Sequence, residues 1–228
     1  MSDQIGGEMR SRRAARMKDT GLVAATEFLR HPSMVGSAFP ATARMVRHVL
    51  APLTWADVRV AVEYGPGSGR FTFEMLKHMR ADASLLAIET GGAFVEKLRA
   101  ACDDSRLIVV KGTAGDVGRH LAAHHLGRAD CILSGLPFST LDHRDAQGIM
   151  DETVAALAPG GIFAAYQMRK AIRPLIERRF ASVRYGYEWW NIPPCHLYWA
   201  TQPRRDVSDV RGKGLEAAGS GRKPGDSV

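Results

Sequence analysis

Short apolar runs alternate along this chain with segments whose apolar residues recur at helical spacing. The pattern predicts strands at 58–63, 84–88, 106–110, 129–134 and 161–167. Helices are predicted between them at 70–79, 91–102, 115–125 and 143–157. Such alternation argues for a parallel sheet with helices on both faces. A further helix at 41–50 is entered from Phe39-Pro40 and ended by Pro52. A helical stretch at 169–180 follows the last of these strands. Two β-like runs, 183–190 and 196–201, then carry Tyr185, Tyr187, Trp189, Trp190, Tyr198 and Trp199. Their aromatic and β-branched content fits a C-terminal antiparallel hairpin. One side of it is expected to complete the core, and the other could stack nucleic-acid bases or sit at a lipid interface, with core packing the leading expectation. The fold class is therefore α/β, Rossmann-like, with seven strands, mostly parallel.

Two appendages flank this domain of residues 32–203. In residues 1–31, Arg10, Arg12, Arg13, Arg16 and Lys18 form a basic run without an acid. Met17, Gly21, Leu22, Ala25, Phe28 and Leu29 fall on one helical stripe, with Arg12, Arg16, Asp19, Glu27 and Arg30 opposite. That is a basic amphipathic helix ending before Pro32. It either packs on the domain or lies in an anionic membrane interface. Residues 204–228 are rich in Gly, Ser and charge, lack aromatic residues, and are expected to be a disordered tail.

The first strand runs into Val62-Glu63-Tyr64-Gly65-Pro66-Gly67-Ser68-Gly69, a glycine turn before a helix start. Glycines let a backbone approach a ligand closely. An acid just before the turn would oppose a polyphosphate and suits a positively charged ligand. Leu85 to Ile88 ends in Glu89, about 20 residues on, where a second-strand carboxylate holds ribose hydroxyls. A nicotinamide cofactor shares both features, but its fingerprint needs a third glycine one residue later, and residue 70 is Arg. The pattern E-x-G-x-G-x-G resembles the first motif of class I S-adenosylmethionine-dependent methyltransferases. S-adenosyl-L-methionine is the cofactor this implies, held by Glu63, Gly65, Gly67, Gly69 and Glu89.

Two later loops add chemistry. After the third strand, Thr113 and Ala114 stand where such enzymes meet the adenine, with Asp116 a second acid or a helix cap. After the fourth, Ser134-Gly135-Leu136-Pro137-Phe138 stands where amino-group methyltransferases present the acceptor nitrogen. Backbone carbonyls and a short polar side chain would accept its hydrogens beside an aromatic ring, and Ser134 also borders the cofactor. Tyr166 ends the fifth strand and is a candidate to take the amine proton, as are His143, His196 and Tyr187. Arg169, Lys170 and Arg173 could donate to a phosphate or could equally be the solvated face of a helix.

The 228 residues suffice for one α/β domain with a core. A net charge of +7 points to an anionic partner, nucleic acid or membrane. Cys102, Cys131 and Cys195 are widely spaced and read as thiols of a cytoplasmic protein, with neither a disulfide frame nor a metal site. No signal peptide or membrane span is expected.

The glycine turn, Ser37-Ala38-Phe39-Pro40, Ser134-Gly135-Leu136-Pro137 and Asn191-Ile192-Pro193-Pro194 occur together and in order. Over roughly residues 25–203 they look like the bacterial phospholipid N-methyltransferase family. That family is itself similar to ribosomal RNA adenine dimethylases. The resemblance implies a cytoplasmic enzyme on the inner face of the membrane, docked on anionic lipid by its N-terminal helix. Its substrate would be phosphatidylethanolamine and its methylated forms. With it, Ser134, Gly135, Leu136, Pro137 and Tyr166 are expected as the catalytic group and Phe138, Arg169 and His143 against the substrate, with no metal. RNA adenine, a small amine and a non-catalytic binding module are the alternatives, with nucleic acid ranked below lipid.

Overall fold

The computed structural model describes residues 41–204. The elements run α1 (Ala43–Leu50), β1 (Val60–Tyr64), α2 (Arg70–His78), β2 (Ser84–Glu89), α3 (Gly92–Ala101), β3 (Leu107–Lys111) and α4 (Val117–Ala123). They continue through β4 (Ala129–Ser134), α5 (His143–Ala156), β5 (Leu157–Gln167), α6 (Arg173–Arg179), β6 (Phe180–Glu188) and β7 (Cys195–Pro203). One sheet holds all seven strands in the order β3-β2-β1-β4-β5-β7-β6. β1 to β5 are mutually parallel, and β7 and β6 close the edge antiparallel. The expected sheet and hairpin are both present. The helix expected at 1–31 and the tail beyond residue 204 lie outside the described residues.

Parallel strands cannot be joined by tight turns, so each crossover carries a helix. Successive side chains then alternate between two cores. Val62, Leu86, Ile132 and Phe163 face one cluster with Val117, Met150 and Ile176. Ala61, Leu85, Cys131 and Ala164 face the other with Met45, Val49, Phe71 and Met75. Both faces of the parallel strands are thereby buried, which explains their almost unbroken apolar runs. Among the described residues, no helix is long and apolar enough to cross a membrane.

Helix α1 is tied to the hairpin at both ends. The Thr42 hydroxyl caps it by accepting from Met45 N at 3.2 Å. Thr42 N itself donates to Asn191 Oδ1 at 2.9 Å. At the other end, the Trp199 indole donates to the Val49 carbonyl at 2.9 Å. That carbonyl lies in the last turn, where helical partners run out.

The C-terminal third differs from the pattern-based expectation. The helix expected at 169–180 is a 3-10 turn at Lys170–Ile172 followed by α6, whose first turn carries a proline. β6 begins at Phe180 and ends at Glu188, so Trp189 and Trp190 lie in the turn after it. The aromatic group does not pack as one unit. Tyr198 and Trp199 on β7 are buried, whereas Tyr185, Trp189 and Trp190 are exposed. β6 is the sheet edge, so only its inner neighbour is covered on both sides.

Trp199→Phe removes the indole donor while keeping most of the buried ring. Unfolding in urea is expected to show a loss of about 1–3 kcal/mol, the cost of orphaning a buried partner. A midpoint within error of the parent would show that the α1–hairpin tie contributes nothing.

Candidate active site

The turn after β1 takes its shape from backbone that other residues rarely adopt. Gly65, Gly67 and Gly69 have φ of +68°, +51° and +79°. At Gly69 a side chain is also excluded by space, since a Cβ would lie 2.6 Å from Leu98 Cδ1 and 2.8 Å from Phe73 Cε2. At Gly67 a Cβ would meet nothing within 4 Å, so this face of the turn is open. Gly65 N donates to Ile88 O at 2.9 Å and Gly69 N to Pro66 O at 2.8 Å. Gly67 N donates to Glu89 Oε2 at 3.1 Å, and Gly91 N to Glu89 Oε1 at 2.9 Å. One carboxylate thus latches the centre of the glycine turn to the start of α3. A phosphate placed there would face a carboxylate instead of free amides, whereas a cationic or hydroxyl-bearing ligand would not be repelled.

Glu63 lies behind the turn. It is only 2% exposed, and its Oε2 accepts from the Thr72 hydroxyl at 2.6 Å. Strand alternation turns it toward α2, away from the cleft, so the expected approach to a ligand ammonium is not what the side chain makes here. Burial pushes its carboxyl up from 4.5 to about 7; the Glu89 charge adds to this and the Thr72 bond opposes it.

At the end of β3, Thr113 caps the following turn by accepting from Gly115 N at 3.2 Å, and Ala114 is buried. Asp116 makes no side-chain cap and pairs with Arg119 at 3.1 Å. None of the three lines the cleft described below.

The loop after β4 is bound more tightly than its sequence suggests. Ser134 is fully buried, and its Oγ accepts from Leu136 N at 3.3 Å. Leu136 O accepts from Gln167 Nε2 at 2.6 Å and from Phe138 N at 3.0 Å. Pro137 O accepts from Thr140 N and from the Thr140 hydroxyl, both at 2.9 Å. A carbonyl has two lone pairs, so both carbonyls are saturated and hold loop shape instead of awaiting an amine. Phe138 points into the core, and its amide also donates to Gln167 Oε1 at 3.3 Å. The aromatic ring beside the loop is Tyr166. It stacks on Phe71 with centroids 4.7 Å apart, and its hydroxyl sits where a Gly135 side chain would be.

These parts meet in one cleft. Gly67 and Ser68 of the glycine turn, Arg70 and Phe71 of α2, Gly135 to Pro137, and Tyr166 to Met168 line it. Met45 of α1 and Asn191, Pro193 and Cys195 of the hairpin complete it. The cleft lies at the carboxyl ends of β1 and β4, where the strand order reverses and doubly wound sheets bind ligands. His143 is exposed at the start of α5 against Gln147, Arg169 is exposed, and neither lines the cleft. His196 bonds the Tyr185 hydroxyl at 2.7 Å instead. Gln167, Asn191, Phe71 and Arg70 are the residues that sequence reasoning left without a task. Gln167 was visible as the polar end of an apolar strand and Asn191 as the start of the Asn191-Ile192-Pro193-Pro194 motif; Phe71 and Arg70 gave no such signal.

The comparisons with known proteins fit this geometry. Residues 61–161 match the family model described as a methyltransferase domain. The ornithine lipid N-methyltransferase of Singulisphaera acidiphila is 26% identical over 174 residues, covering 75% of this chain and 91% of its own. The N-methyltransferase NodS from Bradyrhizobium japonicum WM9, solved with S-adenosyl-L-homocysteine, superposes with a TM-score of 0.55 at 15% identity. That likeness covers 71% of this chain and 85% of NodS. Precorrin-6y C5,15-methyltransferase from Geobacter metallireducens GS-15 gives 0.56 at 14% identity, covering 74% of this chain and 96% of its own. The chain is an S-adenosylmethionine-dependent methyltransferase. Its fold is that of class I.

The residues present fit this cofactor. The open face at Gly67 leaves room, and the Glu89 carboxylate is the acceptor that ribose hydroxyls need. In this methyltransferase Gly65 to Gly69 and Glu89 would hold the cofactor, with Thr113 and Ala114 the candidates toward its base. When bound, S-adenosylmethionine supplies an electrophilic methyl carbon and leaves as a neutral thioether.

Glu89→Ala is expected to weaken S-adenosylmethionine binding roughly 10- to 100-fold by calorimetry, the weight of lost charged hydrogen bonds. Unchanged affinity would remove Glu89 from the cofactor site. Glu63 holds its proton more tightly folded than unfolded. Between about pH 4.5 and about pH 7 the folded state therefore binds more protons, and stability should fall as pH rises. Glu63→Gln should flatten that slope in urea unfolding of the unliganded protein; an identical slope would place the effect elsewhere.

Proposed function

We propose that this methyltransferase acts on the amine of a phospholipid head group, phosphatidylethanolamine and its methylated forms, at the membrane surface. The observation that carries this is the meeting of the glycine turn, Gly135 and the stacked Tyr166–Phe71 pair in one cleft. A nitrogen seated beside Gly135 and Tyr166 would lie next to the turn that would hold the cofactor. The lipid substrate in the name of the Singulisphaera relative supports an amine carried on a lipid. So does the net charge of +7.

The aromatic pair offers π-faces to a cationic amine as it gains methyl groups. The Tyr166 hydroxyl, beside Gly135 in the cleft, orients the nitrogen. Buried Gln167 fixes the loop after β4 from below, so positioning supplies most of the rate. Arg70 lines the cleft, is exposed, and pairs with no carboxylate among the described residues. It suits the lipid phosphate better than Arg169 does. Among the described residues, no histidine or carboxylate lines the cleft. Cys195 is a neutral thiol, pushed up to about 11 chiefly by burial. The amine therefore enters as the free base, its proton having gone to water. Residues 1–31 are the segment proposed to hold the enzyme on anionic lipid at the inner face.

The test is transfer of labelled methyl from S-adenosylmethionine to liposomes containing phosphatidylethanolamine, beside ornithine lipid and RNA. Label is expected in phosphatidylethanolamine. Tyr166→Phe should lower kcat/KM on lipid about tenfold with cofactor affinity kept, the weight of one directed hydrogen bond. Label confined to RNA, or to ornithine lipid, would overturn the head-group assignment.

A further inference from the structure

The turn between β6 and β7 displays large apolar side chains in solvent. Trp189 and Trp190 are each 73% exposed and Ile192 79%. Scattered surface apolar residues are ordinary, but three within four positions are not. The backbone beneath them is fixed. Asn191 is buried, accepts from Thr42 N at 2.9 Å and donates to Pro193 O at 2.9 Å. Trp190 N donates to Glu188 Oε1 at 3.1 Å. The Trp189 ring lies edge-on to Tyr187 at 4.5 Å. The apolar side chains are thus presented by an ordered turn.

This tip borders the cleft. Asn191 and Pro193 belong to both, and Met168, 45% exposed, continues the apolar rim along the cleft wall. A cation stands at its base. Arg44 Nε lies 3.3 Å from Glu188 Oε1, the oxygen that also takes the Trp190 amide, and its side chain is 64% exposed.

We propose that the β6–β7 tip is a membrane-insertion element. Trp189, Trp190 and Ile192 enter the interface of an anionic bilayer and set the cleft mouth against its amine-bearing head groups. The proposal deepens the lipid-amine reading and rests on it. Indole suits this boundary because its body is apolar while its N–H stays wet. Arg44 would meet lipid phosphates beside the inserted rings. A protein partner would need about 1,000 Å² of complementary surface, more than three side chains at a turn offer. Ile192, the most exposed of the three, cannot stack on a base. A head group anchored in a bilayer reaches the cleft only if the mouth faces that bilayer, and the tip sits at that mouth.

The test uses the full chain with vesicles of phosphatidylglycerol and phosphatidylethanolamine carrying brominated acyl chains. Tryptophan emission should shift to shorter wavelength and be quenched by bromine near the interface. Replacing Trp189 and Trp190 by Ala and Ile192 by Ser should weaken vesicle binding at least about tenfold. Calorimetric S-adenosylmethionine affinity and methylation of monomerically dispersed short-chain phosphatidylethanolamine should persist, which shows the variant is folded. Ile192→Ser alone should give a smaller loss of the same sign. Three results would overturn the proposal. The variant could bind vesicles like the parent, or the bound parent could escape quenching. The indoles could also be shielded from an aqueous quencher without vesicles, which would mean that residues 1–40 or a second copy cover the tip. A parent that methylates neither vesicle nor dispersed lipid would sink the lipid-amine reading, while quenching would still judge the tip.

Discussion

Parallel strands buried on both faces at the centre of the sheet, β2, β1, β4 and the end of β5, set the terms for everything else in this molecule. An unsatisfied polar group on either face is costly, so the chemistry gathers at the carboxyl edge. Several polar side chains that enter the interior find a partner there, although the buried Tyr198 hydroxyl and His120 Nε2 have none among the described residues. Glu63 takes the Thr72 hydroxyl, Ser134 the Leu136 amide, and Gln167 both sides of the loop after β4. The site is therefore built from loops whose shapes are fixed from beneath.

Glu89 illustrates how such fixing selects a ligand. Its carboxylate occupies the centre of the glycine turn, binding Gly67 on one side and Gly91 on the other. The same backbone without that acid would invite phosphate. With it, the turn favours a cofactor that brings hydroxyls and positive charge. In the adjoining loop after β4, the Leu136 and Pro137 carbonyls are saturated by Gln167, Phe138 and Thr140. In the proposed reading, recognition of an acceptor falls to Gly135, Tyr166 and Phe71, which line the same cleft as the turn.

The hairpin adds the third wall. Through Asn191 it holds the start of α1, and through Trp199 it holds the end of the same helix. One structural unit thereby closes the cleft, positions α1, and carries the exposed indoles at its tip. Shape of the site and presentation of the apolar tip are consequently coupled through a few buried hydrogen bonds.

The sequence alone determined the sheet, its parallel part and the location of the site. Period and run length encode burial on two faces, and a glycine turn followed by an acid encodes a ligand-binding strand end. Those signals are local, so one chain suffices to read them. Which atoms face the cleft was decided by tertiary structure. Glu63 and Phe138 sit in well-placed motifs yet point into the protein, because strand alternation and the clamp from Gln167 turn them inward. His143 and Arg169 lie close in sequence to cleft residues but project from the surface instead. Gln167, Asn191 and Phe71 gained their parts only through partners up to 149 residues away, as in the Thr42–Asn191 bond. Hydrogen-bond saturation and side-chain direction are properties of assembled neighbours, and no spacing along the chain records them.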